Sequence, residues 1–133
     1  MVFVDSNIPM YVAGRDHPLR DPARRFLERA RAGDTDICTS TEVLEEILYR
    51  YAALKRLDLA AAVYDLFVQL CPTVLPVTLA DTDRAKTLMT GAERIGARDA
   101  IHAAVMLNHD IAQIATFDEG FDRIEGLARV PIR

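Results

Sequence analysis

Short apolar runs alternate with longer stretches of helical periodicity along this chain, which predicts an α/β fold with a mostly parallel sheet. Val2-Phe3-Val4 reads as a buried opening strand, and a short helix follows over Asn7 to Ala13. Gly14 to Pro18 makes a loop, and an Arg- and Ala-rich helix runs on to about Ala32, closed by Gly33. Ile37 to Thr39 is a short second strand. Thr39 with Glu42 predicts a capping box opening a helix over Thr41 to Lys55. That helix carries Val43, Leu44, Ile47, Leu48, Tyr51 and Leu54 at helical spacing. The next, roughly Asp58 to Leu70, ends before Pro72 and forms a helical hairpin with it.

Val74 to Val77 is a third strand, and Pro76 confines it to an edge or an irregular piece. A helix from about Ala80 to Ile95 stops at Gly96, and another spans Ala97 to Asn108. The strand Ile111 to Thr116, a helical turn near Asp118 and a last strand around Arg129 to Ile132 complete the pattern. The expectation is one domain over residues 1–133, with four to five strands flanked by helices and no repeats or linkers.

At 133 residues such a domain buries a real core without staples. No apolar stretch is long enough to span a bilayer, and no basic segment with an apolar signal core precedes the first strand. Cys38 and Cys71 are too few and too far apart for a disulfide framework or a zinc knuckle, and read as small buried hydrophobes. The expectation is a soluble protein of the reducing cytoplasm with no membrane partner. The net charge of −4 neither excludes nor supports a nucleic-acid substrate, because acids at a metal site would account for it.

Those acids carry the chemistry. Asp5 ends the first strand, Asp118 follows the Ile111–Thr116 strand, Asp99 opens a helix, and Glu46 lies in a helix that follows a strand. Open parallel sheets bind ligands beyond the carboxyl ends of their strands, where such positions converge. Acids gathered there repel one another unless a divalent cation neutralises them, which predicts a magnesium or manganese site. Each also has a plainer role. Asp5, with Asn7, can cap the next helix, Asp99 suits a helix dipole, and Asp118 can cap a turn. Glu42 is accounted for by the capping box, whereas Glu45 and Glu46 flank the apolar face on opposite sides, and periodicity does not choose between them. Asp122, one turn beyond Asp118, is expected to face solvent. His102 shares a face with Asp99 and reads as a ligand, a base or a packed histidine.

Taken in order, Val4-Asp5-Ser6-Asn7, Thr39-Ser40 with Val43-Leu44 and Glu46, Arg98-Asp99-Ala100-Ile101-His102-Ala103-Ala104, and Thr116-Phe117-Asp118 with Phe121 resemble the PIN-domain nucleases. In length and pattern the chain is similar to the VapC toxins of type II toxin–antitoxin systems. The resemblance covers essentially the whole chain. It implies an acidic quartet of Asp5, Glu46, Asp99 and Asp118, because the family places its second acid six residues beyond the serine that opens the third helix, here Ser40. Asn7 and Thr116 match supporting positions.

The resemblance further implies metal-dependent hydrolysis of RNA phosphodiesters, tRNA or another structured RNA, with one or two Mg²⁺ or Mn²⁺ ions. It implies inhibition by a VapB-like antitoxin, and a homodimer or a toxin–antitoxin hetero-oligomer. Arg15, His17 and Arg98 are candidates for holding RNA, with Arg20, Arg24 and Arg25 beside them. Ile8, Tyr11, Val12, Leu48, Tyr49, Tyr51, Ala52 and Leu57 are candidates for an antitoxin groove. The competing readings are a non-catalytic PIN-fold scaffold and a phosphate-accepting regulatory module. A receiver-type module wants a second acid beside Asp5 and a late lysine, but the last lysine is Lys86. A haloacid-dehalogenase-like phosphatase needs Asp at position 7, which is Asn.

Overall fold

The computed structural model describes residues 1–91 and 94–133. Five strands form one sheet: β1 (Val2–Val4), β2 (Ile37–Ser40), β3 (Thr73–Leu75), β4 (Gln113–Ala115) and β5 (Ala128–Arg129). Their order is β3-β2-β1-β4-β5 and every pairing is parallel. Among the described residues six helices flank the sheet: α1 (Asn7–Ala13), α2 (Arg20–Arg31), α3 (Thr41–Ala53), α4 (Leu57–Leu70), α5 (Leu79–Met89) and α6 (Ala97–Asn108). A 3-10 turn over Glu119–Arg123 joins β4 to β5.

The order matters for function. The chain builds outward from β1 through β2 to β3, then returns to the other side of β1 for β4 and β5. That reversal is a topological switch point, and the crevice beyond the carboxyl ends of β1 and β4 is where such sheets hold ligands. Val4 pairs with Ala115, so the residues that follow each strand, Asp5 and Thr116, emerge side by side.

The core forms because the inner strands are apolar on both faces. Phe3, Val4, Cys38, Ile114 and Ala115 are fully buried, with Ile8, Phe26, Ile47, Phe67 and Phe121 packed around them. Helix α6 buries Ala100, Ala103, Ala104, Val105 and Met106, so the small-residue helix is enclosed as the sequence indicates. Among the described residues no helix is long and apolar enough to cross a membrane. Cys38 and Cys71 are free and buried.

Several boundaries differ from the sequence expectation. Ser40, not Thr39, caps α3, accepting from the Val43 amide, while the Thr39 hydroxyl donates to the Val4 carbonyl and ties β2 to β1. The box with Glu42 is therefore absent, and a box-like contact occurs instead where Asp81 accepts from the amide and hydroxyl of Thr78. Helix α5 ends at Met89 rather than Ile95, and Ala92 and Glu93 of that expected helix lie outside the described residues. Leu48 and Leu54, placed on the apolar face of α3 by periodicity, are exposed. Strands β3 and β5 end at Leu75 and Arg129, earlier than Val77 and Ile132, and Pro76 falls just past the β3 edge strand.

Candidate active site

Asp5 follows β1, and its amide donates to the Ala115 carbonyl at 3.0 Å, extending the β1–β4 ladder by one bond. The residue is 5% exposed, and its carboxylate is surrounded by donors. Oδ1 accepts the Ser6 amide at 2.7 Å, and Oδ2 accepts the Thr116 hydroxyl at 2.7 Å and the Asn7 amide nitrogen at 3.4 Å. Asn7 also donates to the Thr116 oxygen at 3.1 Å, and its own Oδ1 takes the Phe117 amide. Asn7 and Thr116 thus lock the ends of β1 and β4 around Asp5. Burial pushes the Asp5 carboxyl above its ordinary range, with Glu46 adding to it and His102 and Thr116 opposing.

Glu46 reaches the same place from α3. Its Oε2 accepts the Ser6 hydroxyl at 3.1 Å, and Oε1 contacts Nε2 of His102 from α6. Burial alone would raise the Glu46 carboxyl, but the hydrogen bond and charge of His102 outweigh it and bring the group below its usual range. Burial pushes His102 the other way, and its contacts with Glu46 and Asp5 lift it above the ordinary imidazole value. Glu45, the neighbour that periodicity could not separate from Glu46, is exposed. One turn before Glu46, Glu42 is half-buried and lies within the electrostatic reach of His102, Glu46 and Arg98. The capping box expected to account for Glu42 is therefore replaced by a place beside this cluster. The i, i+4 spacing of Glu42 and Glu46 is the signal that could have found it.

Asp99 opens α6 half-buried, and Asp118 lies exposed at the start of the 3-10 turn. Asp118 accepts the Gly120 amide at 2.8 Å, and a Cβ on Gly120 would stand 3.0 Å from that carboxylate oxygen, so glycine permits the approach. The Asp118 amide donates to Thr116 Oγ1 at 3.0 Å. Burial, then the neighbouring charges of Asp118 and Asp5, push the Asp99 carboxyl up to about 6. The plain capping role of Asp118 is real, and its crowding of Asp99 accompanies it.

The site therefore has two parts. Ligand atoms of Asp5, Glu46 and His102 lie within 4.8 Å of one another. Asp99 and Asp118 form an adjoining pair, close enough that, beyond burial, the charges of Asp118 and Asp5 raise the Asp99 carboxyl. Sequence reasoning missed the bridging role of Ser6, whose amide and hydroxyl serve both Asp5 and Glu46. Its position directly after Asp5 was the available clue.

The cationic candidates separate. Arg98 is exposed, with its guanidinium 4.8 Å over the Tyr49 ring, and its charge reaches Glu42 and Glu46. Arg15 and His17 are exposed on the loop after α1, where the His17 ring lies 4.9 Å from Tyr11 and Tyr11 meets Phe117 edge-on at 5.3 Å. Arg20 and Arg25 face solvent, and Arg24 is engaged by Glu28 at 2.9 Å. Of the apolar groove candidates, Ile8 and Tyr51 belong to the core, whereas Leu48, Tyr49 and Leu57 are 44%, 58% and 70% exposed.

Comparison with known proteins accords with this geometry. A PIN-domain family model matches residues 2–127. Ribonuclease VapC13 of Mycobacterium tuberculosis is 41% identical over 130 residues, covering 98% of this chain and 99% of the relative. Ribonuclease VapC23 of the same organism is 39% identical over 118 residues, covering 89% and 93%. In fold the chain resembles VapBC2 of Rickettsia felis bound to a DNA fragment from its promoter, with a TM-score of 0.76, 22% identity and 98% of both chains covered.

Proposed function

This chain belongs to the PIN-domain family, in its VapC group, and from that membership we propose that it is a metal-dependent endoribonuclease serving as the toxin of a type II toxin–antitoxin pair. The observation that carries the proposal is the buried carboxylate of Asp5 at the sheet's switch point, with Glu46 beside it and Asp99 crowded against Asp118. The named activity of relatives about 40% identical along nearly the full chain supports the same reading.

The donor set fits a divalent cation. Carboxylate oxygens are the hard ligands that Mg²⁺ and Mn²⁺ take, and the raised Asp99 carboxyl marks charge crowding that a cation relieves. Asp5, Glu46, Asp99 and Asp118 would hold it. A cation so held lowers the pKa of a water and offsets charge on a phosphate. Ser6, Asn7 and Thr116 orient Asp5 in advance, so that less of the geometry has to be organised during the reaction. Arg98, at the rim, is placed to hold a backbone phosphate. A single-stranded or looped RNA, such as a tRNA loop, suits carboxylates that must reach a splayed backbone. The exposed apolar residues Leu48, Tyr49, Ala52 and Leu57 on α3 and α4 give a VapB-like antitoxin a surface to cover.

The test is cleavage of total RNA by the purified protein in Mg²⁺ or Mn²⁺ against EDTA, beside Asp5→Asn and Asp99→Asn. Cleavage that needs the metal and disappears in both variants is the expected result. RNA left intact by wild-type protein free of bound inhibitor, or variants that cleave equally well, would overturn the catalytic reading in favour of a protein-binding scaffold.

A further inference from the structure

His102 is the least explained group near the site. It is 1% exposed, its ring packs 5.6 Å from Phe3 and 6.4 Å from Phe121, and Nε2 faces Glu46 while standing 3.7 Å from Asp5 Oδ1. The other ring nitrogen, Nδ1, is buried and has no hydrogen-bond partner among the described residues. Ionised carboxylate oxygens only accept, so the hydrogen of the His102–Glu46 bond belongs to Nε2. A nitrogen that donates has no lone pair for a metal ion. Imidazole ligands also usually give their other N–H to an acceptor, and Nδ1 meets none here. Both arguments put His102 behind Glu46 rather than among the ligands. Glu46, for its part, is a long side chain reaching in from α3, and among the described residues only His102 and the Ser6 hydroxyl hold its two oxygens.

We propose that His102 is a positioning residue: its Nε2–H bond fixes the Glu46 carboxylate against Asp5 and so sets the affinity of the site for a divalent cation. This rests on the metal-dependent reading above.

The experiment is calorimetric titration of the full chain with MnCl₂, comparing wild type, His102→Leu and His102→Gln, with melting curves for each. A glutamine amide can place an N–H where Nε2 stands, whereas leucine cannot donate. Loss of an orienting partner of this kind weakens metal binding by about 10- to 100-fold, which is the loss expected for leucine, with glutamine regaining most of it. If leucine fails to fold, His102→Asn supplies the comparison, since its shorter amide reaches only the Nδ1 position. A folded leucine or asparagine variant that binds Mn²⁺ as tightly as wild type overturns the proposal and leaves the metal reading standing. Electron spin-echo spectra of bound Mn²⁺ should show no directly coordinated imidazole nitrogen; such a coupling in wild type, lost in the glutamine variant, would make His102 a ligand and overturn the positioning role. Wild-type protein that binds no Mn²⁺ overturns both readings together.

Discussion

The hydroxyl of Thr116 donates to Oδ2 of Asp5 at 2.7 Å, joining residues 111 positions apart in the chain. The Thr116 hydroxyl oxygen in turn receives the Asp118 amide at 3.0 Å, so one hydroxyl serves an acid at the end of β1 and the backbone of another beyond β4. The bond is buried, and it aims the Asp5 carboxylate as well as satisfying it.

Thr116→Val keeps the shape and removes the hydroxyl. We expect RNA cleavage to fall by about tenfold or more, the range found when a ligand's orienting partner is lost. Stability should drop by about 1–3 kcal/mol, because the buried Asp5 carboxylate loses a donor and the Asn7 and Asp118 amides lose an acceptor. Single-turnover cleavage and urea unfolding measure the two effects, and Thr116→Ser should recover most of the first.

Asp99 makes the cation-free protein sensitive to pH. Its carboxyl stands at about 6 when folded against 3.8 for the free side chain, so between those values the folded state holds a proton that the unfolded chain has released. The sign follows: stability due to this group is greatest below the lower value and declines as pH rises through the higher one. Urea unfolding between pH 4.5 and 7.5, at roughly half-unit steps, should show a decline that is smaller in Asp99→Asn. Mn²⁺ binding should run the opposite way, weakening as pH falls through the same window because the cation must displace that proton.

Arg98 and Tyr49 form a cation–π pair at the rim. Arg98→Ala, made in an Asp5→Asn background so that RNA survives, should weaken RNA binding and lower the salt slope of log K by about 1. Filter binding across a salt series decides it; an unchanged slope would mean that Arg98 touches no phosphate.

Asp81 offers a control away from the chemistry. It is 1% exposed and accepts from the Thr78 amide at 2.9 Å, the Thr78 hydroxyl at 3.1 Å and Asn108 Nδ2 at 2.8 Å, clasping the start of α5 to the end of α6. Asp81→Ala should cost about 2 kcal/mol of stability, as expected for buried bonds to a charged acceptor. Cleavage per folded molecule should not change, as chemical denaturation paired with active-fraction assays would show.

Much of this was legible in the sequence because burial writes itself into short patterns. The run before Asp5 and the small-residue helix after Asp99 each have one physical solution in a two-sided parallel sheet, and the structure adopts it. What periodicity lacks is resolution of one residue. It placed both Glu45 and Glu46 beside an apolar stripe, and the contacts of Glu46 with Ser6 and with His102 of α6 separate them. Likewise Thr39 and Ser40 are both able to cap a helix. The choice fell to Ser40 because the Thr39 hydroxyl is taken up by the Val4 carbonyl, while the Ser40 hydroxyl meets the Val43 amide. The bridging role of Ser6 depends on a residue 40 positions away, a contact that no local pattern encodes.

The parallel pairing of β1 with β4 also has a consequence in time. A ribosome lays down Asp5 more than a hundred residues before the strand that flanks it on one side, which begins only at Gln113. A nascent chain that has reached β3 can pair three strands and still has one edge of β1 bare, without Thr116 or Asp118 to complete the crevice. Late closure of a long-range pairing is the slow step expected of such topologies. The carboxylates are thus drawn together only once β4 has been made, and a chain cut short before it holds Asp5 without the residues that aim it.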